Sequence, residues 1–222
     1  MKTFAKLAAA AAIAVSFLAV PAQAANTREL LAHASATVST LRHDPVFGNA
    51  RHNLRDARAV LIFPSLVKGG FIFGAEGGDG VLLRRSARGW SSPAFYSMGS
   101  ASFGFQAGLQ DAQVVMVIMT DRALRAIERS KFKFGAGAGL TVVTMGAGVE
   151  GATSGNLRGD IVVWSKSKGI YGGISINGSV VAPKNDTNAD FYGRDVRVQD
   201  ILANRVSNPA ARRLQANLNA AF

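Results

Sequence analysis

One glycine-rich run in this chain has the spacing of a nucleotide-binding turn. Gly146-Ala147-Gly148-Val149-Glu150-Gly151 follows a strand-like stretch and has the G-x-G-x-x-G pattern. That motif needs a helix to begin at its last glycine, so that the helix amides meet a pyrophosphate. Gly155 and Gly159 follow closely and disfavour a helix at this point. We therefore interpret the run as glycine-rich strand edges and predict no cofactor site.

Histidines and serines are the other candidates for chemistry. His33, His43 and His52 lack the i, i+4 spacing that places two imidazoles on one helix face, so the sequence predicts no metal site. The serines between residues 97 and 102 lie near glycines but not in the Gly-x-Ser-x-Gly elbow of hydrolases. We predict no catalytic residues, and we expect that the protein is not an enzyme.

Basic side chains offer more suggestive chemistry, because several lie beside turns or aromatic residues. Such side chains could meet lipid phosphates while neighbouring aromatic rings sit at headgroup level. The predicted lipid-headgroup ligands are Lys68, Arg84, Arg85, Arg125, Arg129, Lys131, Lys133, Lys166 and Lys168, and the predicted interfacial aromatics are Trp164 and Tyr171. The alternative interpretation of each is an ordinary solvated turn.

The charge balance also favours polyanionic partners. The chain has a formal net charge of +11, and without Lys2 and Lys6 it keeps 23 basic side chains against 14 acidic ones. Anionic membrane surfaces and nucleic acid both fit such a balance. Groove-reading motifs are absent from the sequence, so we predict no nucleic acid partner. A basic exterior that only maintains solubility is the alternative.

The N-terminal part of the chain is predicted to be helical. Asn26, with Glu29 three residues later, resembles a capping box, and apolar residues recur at helical spacing up to Leu41. This pattern predicts an amphipathic helix over Asn26–Leu41 that packs against a sheet. Asp44-Pro45 ends that helix, and Val46–Arg58 is expected to carry a second, short one.

From Ala59 onward, short runs rich in Val, Ile and Phe predict the strands of an antiparallel sheet. The predicted strands are Ala59–Phe63, Phe71–Ala75, Val81–Arg84, Ser102–Leu109, Val114–Met119, Leu140–Met145, Asp160–Ser165 and Gly169–Ile176. Gly77-Gly78-Asp79-Gly80 is predicted to be a hairpin loop and Asn177-Gly178 a two-residue turn, because glycine takes the positive φ values that such turns need.

Two further helical regions follow from the same reasoning. Asp121 is expected to cap a helix that runs to about Arg129 with its apolar side buried. A C-terminal helical region begins near Val198 and is interrupted at Asn208-Pro209. The fold class predicted is α+β: a single β-rich domain, with an antiparallel sheet or partly closed barrel and flanking N- and C-terminal helices.

The order of the short glycine-, serine- and aromatic-containing motifs along the chain resembles that of the SYLF family of lipid-binding domains. The motifs that carry the resemblance are Lys68-Gly69-Gly70-Phe71, Trp90-Ser91-Ser92-Pro93, Ser102-Phe103-Gly104-Phe105-Gln106, Gly135-Ala136-Gly137-Ala138-Gly139, the stretch from Trp164 to Gly172, and Asn188 with Phe191-Tyr192-Gly193. The resemblance implies a non-enzymatic domain that binds acidic phospholipids and, in eukaryotic relatives, acts on actin and is associated with phosphoinositides. Trp164 departs from the family, where a tyrosine is more usual.

The first residues have the pattern of a cleavable export signal. Lys2 and Lys6 precede the apolar stretch Leu7–Val20, and Ala22-Gln23-Ala24 has the small-x-small pattern of a cleavage site. The apolar stretch is shorter than the roughly 20 residues that span a bilayer. With no cysteine to carry a lipid, we expect a signal peptide at 1–24, a single SYLF-like domain at 25–222, and a periplasmic or secreted protein that is neither lipidated nor transmembrane.

The leading hypothesis is therefore an exported, non-enzymatic protein that associates with anionic phospholipids or a membrane surface through basic turns. One alternative is a structural or scaffolding protein of the cell envelope that binds another envelope protein. A second alternative is a carrier that encloses an apolar ligand. Within the leading hypothesis, no residue selects one acidic headgroup over another.

Overall fold

The computed structural model describes residues 26–52, 54–70, 73–103, 108–135, 139–145, 159–168 and 176–222. The predicted signal peptide, the Gly146–Gly151 run and Tyr171 lie outside the described residues, as does the predicted strand over 169–176 apart from Ile176. For Lys68 and Lys168 only the backbone is described.

In the described part of the chain, nine strands form one curled, mixed sheet. The strands are β1 (Ala59–Gly70), β2 (Phe73–Ser86), β3 (Gly89–Trp90), β4 (Ala94–Phe103), β5 (Gly108–Ile118), β6 (Phe132–Lys133), β7 (Val142–Met145), β8 (Ile161–Lys168) and β9 (Val180–Pro183). Their order across the sheet is β6-β9-β4-β2-β1-β5-β8-β7, with β3 beside β2. β7 is parallel to β8, and the other pairs are antiparallel. The predicted α+β class is confirmed.

The sheet carries an apolar core on each face, because its central strands contain continuous apolar runs, such as residues 59–63 in β1 and 114–118 in β5. In β1, Leu61 and Phe63 belong to one core, and Val60 and Ile62 to the other. All four side chains are fully buried. Such burial stabilises the fold by about 1.5–3 kcal/mol for each large apolar side chain.

Helices close both cores. The described helices are α1 (residues 26–42), α2 (Pro45–Ala50), α3 (Asp121–Arg129), α4 (Asn185–Tyr192), α5 (Val198–Leu202) and α6 (Arg212–Ala221), with a 3-10 turn at Pro209–Ala211. Buried residues of α3 and α5 contribute to the core that contains Leu61, which we call the α3-side core. Buried residues of α1, α2 and α6 contribute to the opposite core, which we call the α6-side core. In the described residues, no helix is long and apolar enough to cross a membrane.

The predicted helices form where the local signals place them. Leu31, Ala34, Val38 and Leu41 of α1 are buried against the sheet. Asp44 ends the first helical segment and caps α2, since its Oδ1 accepts hydrogen bonds from the backbone amides of Val46 at 2.9 Å and Phe47 at 3.4 Å. The C-terminal helical region and its break at Pro209 are also confirmed.

The predicted hairpin loop at Gly77–Gly80 is wrong, because these residues lie inside β2 and pair with β4, and Gly77 also pairs with β1. Gly78 and Gly80 let backbones approach closely. A Cβ atom on Gly80 would lie 2.5 Å from the carbonyl oxygen of Ile62 and 2.5 Å from the ring of Phe63. Gly78 is equally crowded by the carbonyl of Ser65. By contrast, Asn177-Gly178 does form a turn, with a φ of 84° at Gly178.

Two smaller predictions are also corrected. The α3 cap is Thr120 and not Asp121, because the Thr120 hydroxyl accepts a hydrogen bond from the Ala123 amide at 3.3 Å. A single strand over Ser102–Leu109 is not seen, since β4 ends at Phe103 and β5 begins at Gly108. Residues 104–107 between them lie outside the described part of the chain.

Candidate functional site

The structure divides the predicted headgroup ligands between the two faces of the sheet. Arg84 follows Leu82 of the α3-side core by two residues in β2, so both side chains face the same side. Lys166 follows Trp164 of the α6-side core by two residues in β8 and faces the other side. The predicted ligands therefore do not form one continuous site, and those near α3 form the largest group.

α3 presents two of these cations together. The apolar residues Ala123, Leu124 and Ile127 are buried against the sheet, which leaves the opposite face of the helix to solvent. Arg125 and Arg129 are four residues apart on that exposed face, and side chains at this spacing are neighbours on a helix surface. The amphipathic pattern of α3 thus fixes the position of both guanidinium groups.

Arg84 and Lys131 complete a set that we call the α3 basic surface: Arg84, Arg125, Arg129 and Lys131. All four are exposed. Arg84 is near enough to α3 to act electrostatically on Glu128, as Arg125 also does. Arg84 lies on β2 and Lys131 in the loop after α3. Both are therefore on the same side of the molecule as Arg125 and Arg129.

The side chains of the α3 basic surface make no hydrogen bond or ion pair with any described residue. Other arginines nearby are engaged. Arg122 donates to Asp160 at 2.8 Å, and Arg197 donates to Asp200 at 2.9 Å. The α3 basic surface is therefore distinguished from its surroundings by cations that are free to meet an external anion.

An open groove of ≈ 400 Å³ lies beside the α3 basic surface. It runs between the end of α3 and the first residues of α4 and α5. Charged and amide side chains along it are Glu128, Arg129, Lys131, Asn185, Arg197 and Gln199. Gln199 links α5 to α3 across the groove, because its Nε2 donates to the carbonyl oxygen of Glu128 at 3.1 Å.

Glu128 is the acidic member of the groove. Burial raises the pKa of its carboxyl group, and the nearby guanidinium groups of Arg84 and Arg125 oppose that rise without cancelling it. The Oε1 atom is buried and has no hydrogen-bond partner among the described residues. A carboxylate without a donor in a partly buried position is costly to ionise.

Arg85 has a structural role on the opposite side of the sheet. Its guanidinium donates to the carbonyl oxygens of Arg55 at 2.5 Å and Phe222 at 3.4 Å. It also lies over the Trp90 ring, 5.7 Å from the centroid, a cation–π geometry. Arg85 thus fastens a loop and the end of α6 to the sheet, and it is not part of the α3 basic surface.

The prediction of Trp164 as an interfacial aromatic is wrong. Its side chain is 1% exposed and belongs to the α6-side core. Sequence proximity to Lys166 suggested a shared surface, but strand alternation and the helices over that face enclose the indole. Tyr171, its predicted companion, lies outside the described residues.

The other predicted cations lie apart from α3 or are described by backbone alone. Lys166 is exposed on β8. Lys168 pairs with Asp111 in the sheet, and Lys68 pairs with Glu76 and Gln110. Lys133 is exposed on β6, beside a separate opening lined by Phe134 and Leu140. The lipid-binding roles of these four lysines stay predictions.

Several residues of the groove were not foreseen. Glu128, Asn185, Arg197 and Gln199 come from three helices, and only the tertiary fold brings them together. The one local sign of these groove residues in the sequence is the mixture of acidic and basic side chains in α3. No sequence spacing connects α3 with α5.

Comparison with known proteins gives consistent matches. A family model described as "Ysc84: Las17-binding protein actin regulator" matches residues 99–221. SH3 domain-containing YSC84-like protein 1 of Bos taurus is 31% identical over 176 residues, which are 78% of this chain and 51% of that protein. LAS seventeen-binding protein 3 of Saccharomyces cerevisiae is 30% identical over 162 residues, 71% of this chain and 35% of that protein. The chain thus spans about half the length, or less, of these curated relatives.

Proposed function

Because the chain belongs to the Ysc84 (SYLF) family, whose members matched here are named as binding or regulatory proteins, we propose that it is a non-enzymatic protein that binds anionic phospholipid headgroups. The binding site in this proposal is the α3 basic surface. The observation that carries the proposal is the gathering of four exposed, unpaired cations on one side of the fold.

The energetics of a charged membrane surface fit such a cluster. Each Lys or Arg near an anionic leaflet contributes about 1 kcal/mol of attraction. Four such charges give a reversible, peripheral association whose strength falls with ionic strength, because salt screens charges over a Debye length of about 10 Å at 0.1 M. The planar guanidinium of arginine also donates to two phosphate oxygens at once. Three of the four residues are arginines.

Vesicle sedimentation tests the proposal. The protein should pellet with vesicles of phosphatidylcholine and phosphatidylglycerol, and not with phosphatidylcholine alone. The double variant Arg125→Glu/Arg129→Glu should weaken that binding by about tenfold or more, since it reverses two charges at the surface.

A matched control comes from α6. Arg212 and Arg213 are exposed neighbours, but α6 packs on the opposite core. The variant Arg212→Glu/Arg213→Glu makes the same change in net charge and should leave vesicle binding close to that of the wild type. Equal recovery of the wild type with neutral and anionic vesicles contradicts the proposal. Equal losses in the two variants contradict the placement of the site on α3.

The proposal includes export of the protein. Residues 1–24 would be removed, so that the mature chain begins at Ala25 and meets phospholipid outside the cytoplasm. Intact-mass measurement on protein recovered from the periplasm or medium should give the mass of residues 25–222. Recovery of only the full-length chain, retained in the cytoplasm, would remove this part of the proposal.

A second candidate function is binding to another protein, and the names of the relatives favour it. The yeast relative is named a LAS seventeen-binding protein, and the family description reads actin regulator. In this alternative, the α3 basic surface receives an acidic segment of a protein partner. A stoichiometric complex recovered by pull-down, lost in Arg125→Glu/Arg129→Glu and accompanied by no vesicle binding, would select it.

A further inference from the structure

Among the described residues that line the groove beside the α3 basic surface, Glu128 carries the carboxylate, and it forms no ion pair with any described residue. It precedes Arg129 in α3 and faces the groove that Arg129 and Lys131 also line. Its Oε1 is buried and receives no hydrogen bond from any residue that the structure describes. A glutamine would have the same shape and could fill the position without a charge, so packing alone does not account for a carboxyl group here.

The charged and titratable groups around Glu128 come from each element packed against it. α3 itself contributes Asp121 and Arg125, β2 contributes Arg84, and β4 contributes Tyr96. Arg197, at the start of α5, lines the same groove. The Tyr96 hydroxyl donates to the carbonyl oxygen of Ile127 at 3.2 Å. Arg84, Arg125, Asp121 and the Tyr96 phenol thus interact electrostatically with the carboxyl group. Arg129, Lys131 and Arg197 line the groove beside it.

We propose that Glu128 is a proton-controlled counter-charge of the α3 basic surface, so that binding to anionic membranes strengthens as the pH falls from neutrality. When ionised, Glu128 offsets one of the cations that would meet a phosphate. When protonated, it releases the full positive charge of the surface. This inference rests on the proposed function, because the same surface binds the lipid.

The physical setting supports titration above the ordinary range of a glutamate. Burial raises the pKa of Glu128, and Asp121 adds to the rise, while Arg84 and Arg125 oppose it. An anionic lipid phosphate at the surface favours the protonated form further, since like charges repel. Binding and protonation are therefore coupled, and each favours the other.

The test compares Glu128→Gln with the wild type on phosphatidylcholine vesicles that contain phosphatidylglycerol, whose phosphodiester stays ionised throughout. Affinity is measured at constant ionic strength from about pH 7.5 down to about pH 4.5. At neutral pH the variant should bind about fivefold more tightly, the factor for one unit charge near an anionic surface. The two affinities should converge as the pH falls. Glu29→Gln, the same substitution at an exposed position of α1, is the matched control and should follow the wild type.

The comparison separates Glu128 from other titrating groups. The two proteins differ only at residue 128, so any other group affects the binding of both in the same way. A constant ratio of affinities across the pH range would overturn the role of Glu128 and leave the proposed function standing. If the wild type does not bind anionic vesicles at any pH, the proposed function and this inference are both wrong.

Discussion

The side-chain amide of Asn188 pairs with the backbone of Phe95 in both directions. The Phe95 amide donates to Asn188 Oδ1 at 2.8 Å, and Asn188 Nδ2 donates to the Phe95 carbonyl oxygen at 3.2 Å. Strand β9 pairs with β4 only as far as Pro183, opposite Tyr96. The asparagine therefore continues the hydrogen bonding of the sheet at the point where β9 ends and α4 begins.

Asn188→Ala is expected to destabilise the fold by about 2–4 kcal/mol, because it leaves the buried Phe95 amide without an acceptor and creates a small void. Urea unfolding of the purified variant measures this loss. Asn219→Ala, at an exposed position of α6, should change the free energy of unfolding by less than about 0.5 kcal/mol. Similar values for the two variants would contradict the structural role of Asn188.

Asp160 joins three segments of the α3 region. Its Oδ1 accepts from the Thr120 hydroxyl at 2.7 Å, and its Oδ2 accepts from Arg122 at 2.8 Å and from the Thr141 amide at 2.9 Å. Asp160→Asn should lower the free energy of unfolding by about 1–3 kcal/mol, because an amide nitrogen replaces one of the accepting oxygens. Asp56→Asn, an exposed substitution in the loop after α2, should have little effect.

The pH dependence of that difference is fixed in sign. Burial alone would raise the pKa of Asp160, but the hydrogen bonds from Thr141, Thr120 and Arg122 outweigh it and hold the pKa below its ordinary value of 3.8. A lowered pKa stabilises the native state above the unfolded value, and the contribution is lost as the pH falls through the native one. The wild type should therefore lose its advantage over Asp160→Asn only below about pH 4. A difference that disappears already near neutrality would contradict this assignment.

The sequence predicted those parts of the fold that depend on neighbouring residues. Asp121, Leu124 and Ile127 predict α3, because helical periodicity is a local signal, but the residue that caps the helix is the neighbouring Thr120. Arg125 and Arg129 could be placed on its exposed face for the same reason. Arg84, by contrast, reaches the α3 basic surface only through sheet pairing, and Arg197 reaches the adjoining groove only through the packing of α5. No local pattern encodes either position.

Glycine gave an ambiguous signal, since turns and close backbone contacts both select it. Gly77 and Gly80 lie beside Glu76 and Asp79, a pattern that predicts a loop, yet both belong to β2. What decides between the alternatives is the path of β1 around Ile62 and Phe63, where the pairing register shifts. The prediction of Trp164 as an interfacial aromatic is wrong for a related reason, because the sequence does not reveal that helices cover its face of β8.

The two glycines should respond differently to the same substitution. Gly80→Ala places a Cβ 2.5 Å from the Ile62 carbonyl oxygen, which is backbone and cannot move aside easily. It should cost about 1–3 kcal/mol or more. Gly77→Ala, whose nearest contact is the Met98 carbonyl oxygen at 3.6 Å, should be tolerated. Neither position has a positive φ, so a similar cost at both sites in urea unfolding would contradict the contact argument.

Glu128→Gln is expected to stabilise the protein at neutral pH, by about 0.5–1 kcal/mol, because it removes an ionised carboxylate whose buried oxygen has no donor in the described part of the chain. The pKa of Glu128 in the native state is raised above its ordinary value of 4.5, with burial as the main cause. Below the ordinary value, the Glu128 carboxyl group is protonated in both the native and the unfolded state and adds no penalty. As the pH rises through the native pKa, the wild type loses stability and the variant does not. Urea unfolding at a series of pH values should therefore show the advantage of Glu128→Gln growing from acid to neutral pH, with Glu29→Gln remaining level with the wild type. An advantage that is equally large in acid would assign the gain to packing and not to charge.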